Sequence, residues 1–252
     1  MIDRGENFCV TWGGGWRTVG SGRTGIHGVR PLTEWGAHMG VIALNRFATR
    51  PGRLADQLAA GAEAVGHMRR IGLQPMQLQP IAGGDIGSIV FAINHPDNAA
   101  YAAGTQKLQA DEQWQAFWGG LMADPPADQV ESTLMSDLDP TFQPDPDRPL
   151  GAMLATQWRP KDGRLNDFVG KVIESAPHVA RMGGVTRALQ IVVGAHPLTI
   201  MVVNGFSDLD AYGAYADRSA TDAAWQAFWN DALNVPTADM IRSGVYVNIT
   251  DG

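Results

Sequence analysis

The sequence predicts an α+β fold in which one β-α-β-β-α-β unit occurs twice and the two units close into a single barrel. Two observations predict this fold. The hexapeptide QWQAFW at 113–118 recurs as AWQAFW at 224–229, 111 positions later, and residues 39–138 align with 150–249 without a gap. Within each copy, strand-like and helix-like segments follow one another in the same order.

The first elements of each unit are predicted by apolar periodicity and by glycine. A strand at 41–47 precedes a helix over about 52–71, in which apolar side chains recur at intervals of three and four residues. Gly72 stands where that helix ends, and Gly183 stands at the equivalent place in the second copy. Glycine is the favoured residue just past a helix C-terminus.

A hairpin and a second helix complete the unit before its last strand. Short strands at 76–81 and 88–94 are joined by a glycine pair, which predicts a hairpin. Asp97 is a candidate N-cap of the second helix, and Asp111 marks a break after which that helix restarts. A last strand at 130–138 gives the order of the ferredoxin-like split βαβ unit.

The proline- and aspartate-rich segment 139–149 predicts a linker, because both residue types oppose regular structure. We therefore expect a first ferredoxin-like repeat plus linker at 39–149 and a second repeat at 150–252. The uncovered faces of their two sheets can cover each other, so we expect a pseudo-dimeric monomer or a homodimer of the chain. Residues 1–38 lie outside the repeat. Three interpretations stay open for them: an ordered arm that covers a sheet edge or a cavity mouth, a flexible tail, or a start of the sequence that is assigned too early.

Composition and charge exclude several classes of protein. Hydrophobic residues make up 44% and charged residues 18% of the chain, which excludes intrinsic disorder. The net charge of −7 argues against a nucleic-acid partner, and the single Cys9 excludes an internal disulfide or a cysteine-based zinc site. With neither a secretory signal nor an apolar run of membrane-spanning length, we expect a cytoplasmic protein without a membrane partner.

Paired aromatic residues on the second helix are the candidate ligand-binding residues. In each copy two tryptophans and a phenylalanine recur at i, i+3 and i+4, so they share one helix face. They either pack the helix onto its sheet or form the walls of a cavity for a small hydrophobic or aromatic ligand. The candidates are Tyr101, Trp114, Trp118, Tyr212, Trp225 and Trp229.

A polar stripe on the first helix supplies the candidate catalytic residues, His67 and His178. Each histidine has a glutamate four residues before it, and such a pair can act as a general base or help to hold a metal. The stripe comprises Asp56, Glu63, His67 and Arg70, repeated as Asp167, Glu174, His178 and Arg181. Because it lies opposite the apolar side of the helix, we expect it to face solvent, with an interface between elements as the alternative.

The aromatic helices carry a resemblance to a known superfamily. Residues 101–118 and 212–229 each combine a tyrosine-containing helix, a short break, an aspartate and the WQAFW segment. They resemble the second helix of the dimeric α/β-barrel superfamily, which includes antibiotic-biosynthesis monooxygenase-like and NIPSNAP-like domains. The resemblance covers residues 39–249 and implies a tandem member of that superfamily.

The resemblance also implies a function. It favours a small-molecule binding protein or a cofactor-independent, monooxygenase-like oxidoreductase acting on an apolar or aromatic compound between helix and sheet. Some members bind haem through a helical histidine, but 97–122 and 208–233 contain none, so we expect no haem, metal or other cofactor. The alternative is a non-catalytic binding or scaffolding protein. The sequence contains few polar residues that must be buried, and this observation also fits the alternative.

Overall fold

The computed structural model describes residues 39–84, 86–139, 142 and 150–251; the N-terminal segment 1–38 and the proposed boundary at Pro149 lie outside them. The first half contains β1 (Val41–Thr49), α1 (Leu54–Arg70), β2 (Pro75–Gly83), β3 (Ser88–His95), α2 (Asn98–Ala110), α3 (Glu112–Ala123) and β4 (Ala127–Asp137). The second half contains β5 (Ala152–Pro160), α4 (Leu165–Arg181), β6 (Val185–Val193), β7 (Ile200–Phe206), α5 (Leu209–Thr221), α6 (Ala223–Asn234) and β8 (Ala238–Asn248). No helix in this part of the chain is both long and apolar enough to cross a membrane.

The strands form one closed antiparallel barrel, which confirms the predicted α+β class. Their order around the barrel is β1-β3-β2-β8-β5-β7-β6-β4. Each half contributes four adjacent strands in the same internal order, β4-β1-β3-β2 and β8-β5-β7-β6. The two sets join where β2 pairs with β8 and where β4 pairs with β6.

Equivalent strands of the two halves stand opposite each other in the barrel. Each strand and its counterpart are separated by four positions in the ring of eight, so β4 lies across the barrel from β8. Side chains alternate between the two faces of a strand. A residue that points into the barrel therefore faces the residue 111 positions away.

The sheet has a core on each face. Inside the barrel, a buried cluster of Ile42, Met135 and Leu189 joins strands of both halves. Outside it, α1 packs Val65 against Ile89 on β3, and the second half repeats this arrangement with its own helices. Several strand residues are consequently buried whichever way they point.

Aspartates begin the second helices, as the sequence predicts. Asp97 and Asp208 accept hydrogen bonds from the backbone N–H groups of Ala100 and Ala211, each at 2.7 Å. The predicted break is also present, because α2 ends at Ala110 and α3 starts at Glu112. Each cap satisfies an N–H group that has no partner inside its own helix.

Asp111 and Asp222 connect the helices of each half. Asp222 accepts from the backbone N–H of Trp225 at 2.8 Å and from two guanidinium nitrogens of Arg181 on α4. Asp111 has the same partners in the first half, Trp114 and Arg70. One carboxylate therefore caps a helix and ties it to its neighbour.

The Asp222 carboxylate gives the fold a defined acid sensitivity. The hydrogen bond from Arg181, followed by that from the Trp225 backbone, lowers the pKa of Asp222 from 3.8 to about 2. Ionised Asp222 therefore stabilises the fold above its ordinary pKa, and this contribution is lost as the pH falls toward the lowered value. Asp222→Asn keeps a capping oxygen but loses the charge, so we expect it to be less stable than the wild type at neutral pH.

Urea denaturation of both proteins as a function of pH tests this expectation. The stability difference should be constant near neutral pH and should shrink as the pH falls below about 4. Asp217→Asn, on the exposed surface of α5, is the matched control and should leave the pH profile unchanged. An equal difference at all pH values would contradict the assigned role of the charge.

Candidate functional site

The second half holds a cavity of about 420 Å³ between α4, α5, α6 and the outer face of its strands. We call it the second-half cavity. Its aromatic walls are formed by Trp158, Phe168, Tyr212, Tyr215, Trp225, Phe228 and Trp229. Trp158 stacks on Trp229 with ring centroids 6.2 Å apart, and Trp225 meets Trp229 edge to face at 5.6 Å. Its volume lies within the range of small-molecule sites.

In the second half, the aromatic stripe of α6 belongs to the core and also lines a cavity. Trp225 is 7% exposed and Phe228 is 9% exposed, so both belong to the core. The same side chains line the second-half cavity, together with the predicted residues Tyr212 and Trp229. The structure thus brings together all three second-half candidates at one cavity.

Tyr215, Asn204 and Tyr212 are among the polar side chains that give the second-half cavity hydrogen-bonding capacity. Burial raises the pKa of Tyr215 to about 12, so its phenol stays protonated at neutral pH. Asn204 also lines the cavity and accepts a hydrogen bond from Thr186 at 2.8 Å, which orients its amide. Tyr212 packs edge to face on Phe206, with the ring centroids 5.6 Å apart.

The first half has a cavity of about 470 Å³ at the equivalent place, with fewer of the predicted residues. Trp118 lines this first-half cavity, beside Phe47, Phe91 and Phe117. Trp114 and Tyr101 are not among its lining residues. Trp114 stacks on Trp118 at 5.7 Å, and Tyr101 packs against His95 at 5.4 Å.

The polar stripe of α1 does not face solvent along its whole length. Asp56 and Glu63 are exposed, as expected, but the His67 side chain is only 17% exposed, and its ring centroid lies 5.2 Å from that of Phe117. Arg70 bonds to Asp111 at the start of α3. The expectation of a solvent face therefore holds for Asp56, Glu63 and Arg70 and fails for His67, because α3 packs beside α1 and covers the histidine ring.

Neither candidate histidine is among the residues that line the first-half or the second-half cavity. His178 packs against Trp225 and Phe228 with centroid distances of 6.0 and 5.6 Å, and its Nδ1 atom lies 3.3 Å from an Arg181 nitrogen. No histidine lines the first-half cavity, the second-half cavity or the cavity inside the barrel that is described below, so these linings do not fit a haem ligated through histidine. Among the described residues, no three His, Cys, Asp or Glu side chains cluster as metal ligands.

The inside of the barrel holds a third cavity, of about 410 Å³, that the sequence interpretation missed. We call it the lumen. Near one end Glu131 lies 3.1 Å from Arg46 and 3.5 Å from Arg242, and it accepts a hydrogen bond from Thr133 at 3.1 Å. Burial alone would raise the pKa of Glu131, but the charge of Arg242 and the bonds from Arg46 and Thr133 outweigh it and lower that pKa.

A buried ion pair lies at the other end of the lumen. Arg187 on β6 bonds to both oxygens of Asp137 on β4, at 2.7 and 2.8 Å, and Asp137 is 2% exposed. Arg187 also donates to Asn94 at 2.6 Å and lies over the ring of Phe142. The expectation of few buried polar groups is therefore wrong for the barrel interior.

One signal in the sequence could have found these groups. Arg46 lies two residues after Leu44, and Glu131 lies four residues before Met135, so each charge shares a strand face with apolar residues that point inward. That alternation does not say which face is inside. Only the pairing of the strands assigns these charges to the lumen.

Known structures resemble this fold although sequence comparisons find nothing. No family model matches the chain, and no curated protein sequence matches it. A candidate monooxygenase from Fusobacterium nucleatum is similar over 84% of this chain and 95% of its own, with a TM-score of 0.59 and 9% identity. The predicted superfamily resemblance is confirmed at the level of the fold.

Two further structures show the same likeness. A candidate monooxygenase from Lactobacillus acidophilus is similar over 82% of this chain and 94% of its own, with a TM-score of 0.53 and 10% identity. An anthrone oxidase-like protein is similar over 85% of this chain and 93% of its own, with a TM-score of 0.51 and 13% identity. At these identities the likeness extends to the fold and not to the activity.

The unequal burial of the aromatic pairs predicts unequal costs of truncation. We expect Trp225→Ala to reduce the free energy of unfolding by about 3–5 kcal/mol, the usual cost of deleting a buried aromatic side chain. Its equivalent, Trp114, is only partly buried, so Trp114→Ala should cost less because fewer contacts are lost. Denaturant melts of the two variants measure the difference, and equal costs would contradict it.

Proposed function

We propose that the protein binds a planar aromatic small molecule with a hydrogen-bonding oxygen in the second-half cavity. The observation that carries this proposal is a cavity of about 420 Å³ walled by stacked indole rings and furnished with a buried, protonated phenol. Indole and phenyl walls favour a planar apolar ligand. The Tyr215 hydroxyl and the Asn204 amide would fix its orientation.

The differences between the halves favour the second-half cavity. Tyr215 corresponds to Gly104, where an added Cβ would lie 2.9 Å from a terminal methyl group of Leu73, so a side chain there would require Leu73 to shift. Asn204 corresponds to Ile93, which is buried in the first-half core. The second half thus carries two polar groups at its cavity that its counterpart lacks.

We further propose that the chain is a tandem pair of ferredoxin-like units and that each histidine supports the aromatic wall of its own half. The repeated element order and strand order support the first statement. The contacts of His178 with Trp225 and Phe228 support the second. On this view His67 and His178 position the aromatic rings and do not act as bases.

The second-half cavity is also compatible with an oxidation that needs no cofactor, and two of the similar proteins are named as candidate monooxygenases. A protonated phenol can donate a hydrogen bond to a ketone oxygen and stabilise the enolate that forms when a carbon conjugated with that ketone loses a proton to water. The enolate can then react with O₂. For anthrone, one O₂ would be consumed, and anthraquinone and one water would form.

Anthrone is therefore the probe for both binding and turnover. We expect it to quench tryptophan fluorescence, and we expect Trp229→Ala to abolish most of this binding because one wall is removed. Tyr215→Phe should weaken binding by up to about tenfold, since a hydrogen bond contributes about 1 kcal/mol. Oxygen uptake and anthraquinone formation report any turnover separately.

Matched positions in the first half supply the controls. Tyr101→Phe and Trp118→Ala should leave anthrone binding unchanged, whereas Tyr212→Phe and Trp229→Ala should weaken it. Binding without oxygen uptake would assign a binding role, and oxygen uptake that Tyr215→Phe abolishes would assign an oxidase. Absence of binding, or equal effects in both halves, would overturn the proposal.

A further inference from the structure

The lumen is separate from the second-half cavity, because the wall of the barrel lies between them. Its middle is apolar and is lined by side chains from both halves, among them Leu44, Val90, Met135, Met153, Leu189 and Met201. From Ile42 to Arg46 the lining extends roughly 13 Å along β1, at about 3.3 Å per residue. The lumen therefore suits an elongated apolar molecule.

The polar groups near one end show how the lumen holds a carboxylate. Both Arg46 and Arg242 contact the same oxygen of Glu131, and Thr133 donates to its other oxygen. Arginine is suited to this task because its planar guanidinium donates several N–H groups in a fixed geometry. Among the charged residues that line the lumen in the described part of the chain, three are arginine and one is glutamate.

This polar end depends on a difference between the two halves. Glu131 and Arg242 are equivalent residues, 111 positions apart, and they meet across the barrel because β4 lies opposite β8. A symmetric pair of identical halves would place two carboxylates or two guanidiniums here, and like charges at this distance repel. The duplicated chain instead combines one of each.

We propose that the lumen binds an elongated apolar carboxylic acid. Its hydrocarbon chain lies along the apolar middle, and its carboxylate is held by Arg46 and Arg242, where it competes with Glu131. The opposite end does not serve as the carboxylate site, because Arg187 is already bonded through two nitrogens to the buried Asp137. The inference concerns a different cavity from the proposed aromatic site and does not depend on it.

Decanoate and decanol, which share a hydrocarbon chain and differ in charge, are the probes. Calorimetry on the full chain should show decanoate binding with a stoichiometry of one, and decanol binding at least tenfold more weakly. Arg242→Gln should weaken decanoate binding at least tenfold and leave decanol binding unchanged. Glu131→Gln should have the opposite effect and tighten decanoate binding, because the competing carboxylate is gone.

Substitutions that fill one cavity at a time identify the cavity in which decanoate binds. Ala155→Met fills the lumen and should abolish decanoate binding, whereas Ala216→Met fills the second-half cavity and should leave it unchanged. Thermal melts check that each variant is folded, and the Glu131 and Ala155 variants test the proposal independently if Arg242→Gln does not fold.

Three results would overturn the proposal. They are no decanoate binding by the wild type, equal affinity for decanoate and decanol, and loss of binding in the Ala216 variant rather than the Ala155 variant. Failure of anthrone binding would leave this proposal intact, and failure of decanoate binding would leave the aromatic site intact.

Discussion

Two strand pairs between the halves, β2 with β8 and β4 with β6, are the constraint on which the rest of the structure depends. An edge strand carries a row of backbone N–H and C=O groups that must find partners, and a half-covered sheet carries an apolar face that must be buried. Both needs are met when the second half of the same chain supplies the missing strands. The register shifts once in each pair, with the extra residue on β2 in the first pair and on β6 in the second.

Closure of the barrel divides the molecule into two kinds of interior. Helices bury the outer face of the sheet, and the inner faces of the two halves bury each other. The strand β3 shows the consequence, since residues from Ser88 to Ile93 are buried although they alternate between the two faces. The barrel wall keeps the lumen apart from the cavities beneath the helices, so the two interiors can hold chemically different ligands.

Duplication within one chain removes a limit that a symmetric dimer imposes. In a homodimer every substitution appears twice, so a carboxylate near the axis faces a second carboxylate. Here the equivalent residues Glu131 and Arg242 form an ion pair instead. The same freedom allows Tyr215 to occupy the second-half cavity while Gly104 keeps the corresponding helix close to Leu73 in the first half.

The sequence by itself determined the repeat, the order of elements and the helix ends. These features depend on local chemistry: Asp97 and Asp111 cap helices through hydrogen bonds to residues three positions away, and Gly72 adopts a left-handed φ of 87° that other residues rarely adopt. Periodicity also predicted the aromatic face of α6, because i, i+3 and i+4 positions share a side of any helix.

Tertiary structure alone decided which faces of the helices and strands line a cavity and which are covered by another element. The α1 stripe reads as a solvent face, yet α3 packs beside it and covers His67, which no local pattern indicates. Whether Arg46 and Glu131 point inward or outward depends on strand pairing, because a strand has two faces and the sequence alone does not determine which face lies inside the barrel. The contact between Glu131 and Arg242 joins residues 111 positions apart, and only closure of the barrel brings them within reach of each other.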